Sequence, residues 1–199
     1  MDTDLEYDYT IKLLIVGDSS VGKTNFISVF IEKIFNQNYM TTTGIDLKTS
    51  SIEINNKKIK VQLWDTAGQE KYRAITKNLF LKVQGVLVVY DITNEDSFKN
   101  IKTWVDTIKD ECGKQMQMII VGNKCDLNDQ RIIDKNMAME YAKHEKIEYI
   151  ETSCKTGENI QKAITILCEK VLDTTEFTND FSFTIDATTV SQKNKRKCC

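Results

Sequence analysis

Apolar residues along this chain keep two rhythms. Three short runs are almost continuously apolar: IKLLIV from Ile11, GVLVVYDI from Gly85 and MQMIIVG from Met116. Strands that are apolar on both faces belong in a parallel sheet covered on each side by helices. Elsewhere the period lengthens to that of a helix. Phe98, Ile101, Trp104, Val105 and Ile108 share one face of SFKNIKTWVDTIKDEC, and Ile160, Ala163, Ile164, Leu167 and Val171 share one face of NIQKAITILCEKVL. Strand and helix therefore alternate. One segment departs from this order. In SIEINNKKIKVQLW, Ile52 and Ile54 on one arm, and Ile59, Val61 and Leu63 on the other, alternate with polar residues around Asn55-Asn56, which predicts a hairpin. The expected fold class is α/β: a mostly parallel sheet with one antiparallel edge hairpin and helices on both faces.

The helical period stops near Asp173. The remainder is rich in Thr, Ser, Asn and Asp without amphipathic order, so residues 173–199 are expected to be a flexible tail. At 199 residues, 41% hydrophobic and 28% charged, the chain suits one globular domain. Its formal net charge of -2 argues against a generally basic nucleic-acid-binding surface, with Lys193, Lys195, Arg196 and Lys197 as a local exception. The six cysteines show no C-x-x-C pair or zinc-like spacing, and the opening MDTDLEYDYT is acidic, so a reducing cytosolic setting is expected. No apolar run approaches the roughly 20 residues that cross a bilayer. Cys112, Cys125 and Cys168 are expected to pack as small hydrophobes, and His144, the one histidine, to be a solvated helix residue.

Chemistry enters with GDSSVGKT, directly after the first apolar run. Gly17, Asp18, Ser19, Ser20, Val21, Gly22, Lys23 and Thr24 fit the phosphate-binding pattern G-x-x-x-x-G-K-[ST] at each fixed position and in a strand-loop-helix context. Glycines let the backbone turn around phosphates, and amide N–H groups at the helix start point at the anion. Lys23 reaches the β- and γ-phosphates, and the Thr24 hydroxyl is a hard oxygen ligand for Mg²⁺. This loop alone leaves an ATPase, a nucleotide kinase and a GTPase open. It leaves the carboxyl end of its strand, as do WDTAGQE, NKCD and ETSCKTG, so all four converge on one edge of an open sheet, where such folds bind ligands.

With WDTAGQE, beginning at Trp64, the chain resembles the Ras superfamily of small GTPases in its switch II segment. The resemblance implies the small-GTPase fold with a six-stranded sheet, binding of GTP and GDP, and slow hydrolysis of GTP to GDP and phosphate. Asp65 would hold Mg²⁺ through a water. Thr66, Ala67 and Gly68 would follow the γ-phosphate, and Gln69 would be the catalytic residue that orients the attacking water. In NKCD, Asn123 and Asp126 would read the guanine edge, with Lys124 laid along the ring. Ser153, Cys154 and Lys155 would close over the base, with Cys154 in place of the usual Ala. Phe35 would pack against guanine. Switch I resembles Tyr39, Met40, Thr41, Thr42, Thr43, Gly44, Ile45, Asp46 and Leu47, which would form the effector region, and Thr42 would bind Mg²⁺ when the γ-phosphate is present.

Within the superfamily, GIDLK, KVQLWDTAGQEKYRAI, VYDITNEDSFKNIKTW and the terminal Cys-Cys resemble Rab proteins from about Tyr7 to Leu172. This implies an N-terminal extension over residues 1–8, a monomeric G domain over 9–172 and a hypervariable tail over 173–199. Thr43, Leu47 and Leu79-Phe80-Leu81 depart from the Rab pattern, so the surface cluster offered to effectors would be Leu47, Trp64 and Leu79. Implied partners are an exchange factor, a GTPase-activating protein, effectors, a prenylation escort and a dissociation-inhibitor chaperone, with no nucleic acid. Adjacent cysteines disfavour a disulfide. By resemblance, Cys198 and Cys199 carry geranylgeranyl lipids that, with the basic run, anchor the protein to the cytoplasmic face of a membrane from which it cycles to cytosol. Two other readings share parts of this pattern: a constitutive GTP-binding adaptor, and a phosphotransferase, which would lack NKCD.

Overall fold

The computed structural model describes residues 7–36, 45–66, 80–113 and 116–176. Six strands form one sheet in the order β2-β3-β1-β4-β5-β6. They are β1 (Tyr9–Val16), β2 (Ile45–Ile54), β3 (Lys57–Thr66), β4 (Gly85–Asp91), β5 (Gln117–Asn123) and β6 (Glu148–Thr152). Among the described residues only β2 and β3 pair antiparallel. The helices are α1 (Lys23–Glu32), α2 (Glu95–Cys112), α3 (Lys135–Glu145) and α4 (Ile160–Glu176).

The continuous apolar runs occupy the centre of this sheet, and all seven residues of β4 are buried. Because side chains alternate across a strand, each run feeds two cores. Leu13 and Ile15 of β1 join Leu87 and Val89 of β4 on the face covered by α1 and α4, with Phe26, Phe30, Ile164 and Leu167. Leu14, Val16, Val86 and Val88 turn to the other face, covered by Ile101, Trp104, Val105 and Ile108 of α2 and by Ala138 and Ala142 of α3. Each fully buried Leu, Ile or Phe contributes about 2 kcal/mol relative to exposure, so this double packing outweighs the local preferences of the loops between elements.

Local chemistry sets the ends. The Asn94 side chain accepts from Ser97 N at the start of α2, with Glu95 and Asp96 in the first turn. Asp134 accepts from Asn136 N and Met137 N at the start of α3. The β2–β3 hairpin turns at Asn55 and Asn56, both with positive φ (51° and 61°), the conformation that a two-residue turn between twisted strands requires.

Two boundaries differ from the sequence reading. β2 begins at Ile45, and its ladder runs from Ile45↔Thr66 to Ile54↔Lys57. The first part of this edge strand is exposed at Asp46 and Leu47, so main-chain pairing extends the strand where no apolar alternation announces it. α4 continues past Asp173 to Glu176, where the Thr174 hydroxyl bonds back to the Lys170 and Val171 carbonyls. No helix among the described residues is long and apolar enough to cross a membrane.

Candidate functional site

The phosphate loop leaves β1 at Gly17, whose φ of 141° is open to glycine. A Cβ there would lie 2.1 Å from the Val89 carbonyl oxygen, so the loop runs hard against β4. α1 then starts at Gly22 (φ 99°) with no side-chain cap hydrogen bond, which leaves the first amide N–H groups directed at the loop. Val21 is buried, and Ser19 and Ser20 are exposed. Lys23 is 5% exposed, and its Nζ donates to the carbonyls of Gly17 at 2.9 Å and Asp18 at 2.7 Å. Burial lowers its pKa to about 8, although the Asp65 and Asp18 carboxylates pull the other way. The Thr24 hydroxyl donates to Asp65 Oδ2 at 2.8 Å. Asp65 itself is buried, near the end of β3. Thr24 and Asp65 thus bring two hard oxygens together beside a buried ammonium, the kind of donor pair that can hold a small divalent cation.

The opposite wall comes from the loops after β5 and β6, which are adjacent parallel strands with Asn123 in register with Thr152. Asn123 is 1% exposed. Its Nδ2 donates to the Val21 carbonyl at 2.8 Å, and its Oδ1 accepts from Thr152 Oγ1 at 3.1 Å. Its amide therefore ties three segments of protein together at the lining of the cleft. Lys124 takes a positive φ of 68° and its Nζ meets Asp91 Oδ2 at 2.5 Å. Asp126 is exposed, and one carboxylate oxygen accepts from the buried Ser153 hydroxyl at 2.6 Å. That bond fixes the carboxylate's direction. Cys154 is buried against Asn123 Oδ1 at 3.4 Å, and burial pushes its thiol pKa up to about 12.

These walls enclose a cleft of about 480 Å³. Ser20 and Gly22 of the phosphate loop line one side, Asn123, Lys124 and Asp126 the other, and Phe35, Cys154 and Lys155 close the ends. Asn25, Asn36 and Leu127 also line it. The Asn25 amide donates to the Asn36 carbonyl at 3.2 Å, which secures the chain beyond Phe35. Thr42, Ala67, Gly68 and Gln69 lie outside the described residues, as do Tyr39, Met40, Thr41, Thr43, Gly44, Leu79, Cys198 and Cys199; Ile45 and Thr66 are described as strand backbone only.

Residues 12–173 match the model of the Ras family. The chain belongs to the Ras family. Within that family it is similar to the Ras-related protein Rab-8B of Homo sapiens, 44% identical over 166 residues covering 83% of this chain and 80% of that one. It is also similar to the Ras-related protein Rab-10 of Diplobatis ommata, 39% identical over 194 residues covering 97% of each. The Ras-related protein Rab-13 of Canis lupus familiaris is 42% identical over 166 residues, 83% of this chain and 82% of its own. This Ras-family chain is accordingly a Rab-type small GTPase, which binds GTP and GDP and hydrolyses GTP.

Several features of this Ras-family member were not announced by motif. Asp18, an unspecified position of the phosphate loop, accepts from Asn100 Nδ2 at 2.6 Å and from Trp104 Nε1 at 3.1 Å, so α2 grips the loop from behind. Trp104 reads in the sequence as a core position only. Beneath the last loop, Glu151 accepts from Arg131 at 2.7 and 3.1 Å and from Tyr149 Oη at 2.9 Å, and Tyr149 meets Tyr90 Oη at 2.9 Å. On the β2–β3 edge, Leu47 is directly opposite Trp64 and 41% exposed, whereas Phe80 is buried and Leu81 is 74% exposed. His144 is a solvated helix residue, with Nδ1 3.0 Å from Glu145. Cys168 packs in the core, whereas Cys112 and Cys125 are half-buried against the second core, and Cys125 lies 3.7 Å from Glu158. Cys125 opens a short 3-10 helix after β5.

Proposed function

We propose that the cleft is the guanine-nucleotide site and that the chain is a GTP/GDP switch of vesicle trafficking anchored to membranes by its carboxyl terminus. The observation that carries this reading is a cleft lined by Ser20 and Gly22 of the phosphate loop together with the Ser153-oriented Asp126, next in the chain to Lys23 and to the Thr24 that bonds Asp65. Lys23 and the amide N–H groups opening α1 bind the phosphates. Asn123 and Asp126 read the guanine edge, with Asp126 accepting from its two N–H donors and Asn123 also bracing the loop, and Lys124, Phe35, Cys154 and Lys155 flank the ring. Mg²⁺ fits the hard-oxygen pair and, held by Thr24, by Asp65 through water and by Thr42, would neutralise charge on the β- and γ-phosphates. Gln69 orients the attacking water, and Gly68 contributes its N–H to the γ-phosphate.

Hydrolysis is slow without an activating partner that supplies a further cation. An exchange factor renews GTP, effectors bind the edge that includes Leu47, and an escort and a dissociation-inhibitor chaperone handle the lipids. Geranylgeranyl groups on Cys198 and Cys199, with Lys193, Lys195, Arg196 and Lys197, hold the G domain (residues 9–172) at the cytoplasmic face. The nucleotide that co-purifies with the chain is the first test: guanine nucleotide is expected, and adenine nucleotide would overturn the site. Phosphate release is expected to slow in Gln69→Leu; equal release from both proteins would favour the adaptor reading. Intact mass of protein from its native membrane fraction tests the lipid anchor, which an unmodified carboxyl terminus would defeat.

A further inference from the structure

At the lining of the cleft lies a polar cluster withdrawn from solvent: Asn123, Thr152 and Cys154 are 1%, 0% and 5% exposed. Asn123 Oδ1 is its hub, accepting from Thr152 Oγ1 at 3.1 Å and meeting Cys154 Sγ at 3.4 Å. The same sulfur lies 3.7 Å from the Gly22 carbonyl oxygen, and Asn123 Nδ2 donates to the Val21 carbonyl at 2.8 Å. Two successive carbonyls of the phosphate loop are thus met from the base side, one by an amide and one by a thiol whose single hydrogen is shared between the Gly22 carbonyl and Asn123 Oδ1. The Gly22 carbonyl also accepts from Phe26 N at 2.8 Å, so it is the first rung of α1. Whatever fixes it fixes the start of the helix. Glycine at 22 makes room for the Asn123 amide. A Cβ there would stand 2.5 Å from Asn123 Nδ2, while the sulfur, 3.9 Å away, would be in ordinary contact.

We propose that Cys154 is a positioning residue whose thiol clasps the base-reading loop to the phosphate loop, so that a bound guanine nucleotide leaves more slowly than it would with alanine at this position. The proposal rests on the reading of the cleft as a guanine-nucleotide site and adds to it a determinant of retention particular to this chain. Alanine, the usual residue in this loop, has no donor. Burial keeps the thiol protonated, and therefore donating, across the physiological range, although the Asn123 hydrogen bond pulls the other way. An S–H donor is weaker than an N–H donor, so the effect is several-fold and not many orders of magnitude.

The test compares the full chain with Cys154→Ala and with Cys168→Ala, which removes a buried thiol from α4 away from the cleft. Two quantities are read: the release rate of a fluorescent GDP, and the ³¹P resonance of the β-phosphate of bound GDP. Cys154→Ala is expected to release GDP roughly three- to tenfold faster, as loss of one weak hydrogen bond would allow. It is also expected to shift or broaden the β-phosphate resonance, although residue 154 lies on the base side. Cys168→Ala is expected to leave both readouts at wild-type values even where its melting temperature falls. Release at the wild-type rate from Cys154→Ala would overturn the clasp. Faster release with an unmoved β-phosphate resonance would overturn it too, because the effect would then be packing around the base alone. A wild-type chain that retains no guanine nucleotide would instead overturn the reading of the cleft itself, and the clasp with it.

Discussion

The two walls of the cleft are built in different ways. On the base side, Asn123, Asp126, Ser153 and Cys154 come from loops that follow neighbouring parallel strands, and they hydrogen-bond to one another. On the phosphate side, Lys23 bonds to carbonyls of its own loop and Thr24 to Asp65. The remaining groups assigned to that side by resemblance, Thr42, Gly68 and Gln69, lie outside the described residues. On the proposed reading, base recognition would be seated in sheet register, where a strand pairing sets distances. Hydrolysis would rest on a separate set of residues, Gln69 foremost. Such a division lets one function be broken while the other is kept.

The largest separation is expected from Asp126→Asn. Replacing one acceptor oxygen by an NH₂ group leaves a guanine N–H unpaired against a donor, which weakens GDP binding by roughly 10³-fold or more. Displacement titration measures it, and a loss below tenfold would mean that Asp126 is not the base reader. Gln69→Leu is next: single-turnover phosphate release is expected to slow on the order of tenfold or more, with the GDP dissociation rate unchanged. A matching change in dissociation would merge the two walls.

Glu151→Gln tests the support under the base side. Burial raises the Glu151 pKa, but hydrogen bonds from Arg131 and Tyr149 outweigh it and hold the carboxyl below its usual value of 4.5. Its folded pKa being depressed, the carboxylate's stabilisation is complete above that usual value and is lost as pH falls below it, through the folded pKa. The glutamine variant is expected to lose about 2 kcal/mol at neutral pH and to show a shallower loss of stability in acid, read from urea unfolding at both pH values. An equally steep acid loss would remove Glu151 from the network. The smallest effect is expected from Leu47→Phe, on the exposed β2 edge. Neither GDP release nor phosphate release should change more than about twofold, because a surface substitution of this kind moves stability by about 0.5 kcal/mol or less. A larger change in either rate would tie the effector edge to the phosphate wall.

The central fold was legible because β4 and its neighbours are buried on both faces, and only a continuous apolar run satisfies that environment. The hairpin was legible through Asn55-Asn56, whose backbone supplies the turn. The first half of β2 was not, since Asp46 and Lys48 sit on a solvated edge where pairing is carried by main chain. In the site, glycine and lysine spacing announced the phosphate loop. The grip of Asn100 and Trp104 on Asp18 spans more than eighty residues and follows no local period, so no spacing rule could reveal it. For the same reason the hydrogen bonds of Asn123 to Val21 and Thr152, made alongside its place in the cleft lining, follow no spacing rule.

The bond from Trp104 Nε1 to Asp18 has an optical consequence. The chain holds two tryptophans, Trp104 against the phosphate loop and Trp64 across from Leu47 on the outer edge. Indole emission responds to the charge and polarity around the ring, so each tryptophan acts as a lamp for its own neighbourhood. With Trp64→Phe the remaining light follows the filling of the nucleotide cleft, and with Trp104→Phe it follows whatever docks on the edge strand. The molecule can thus be watched in both acts without a label.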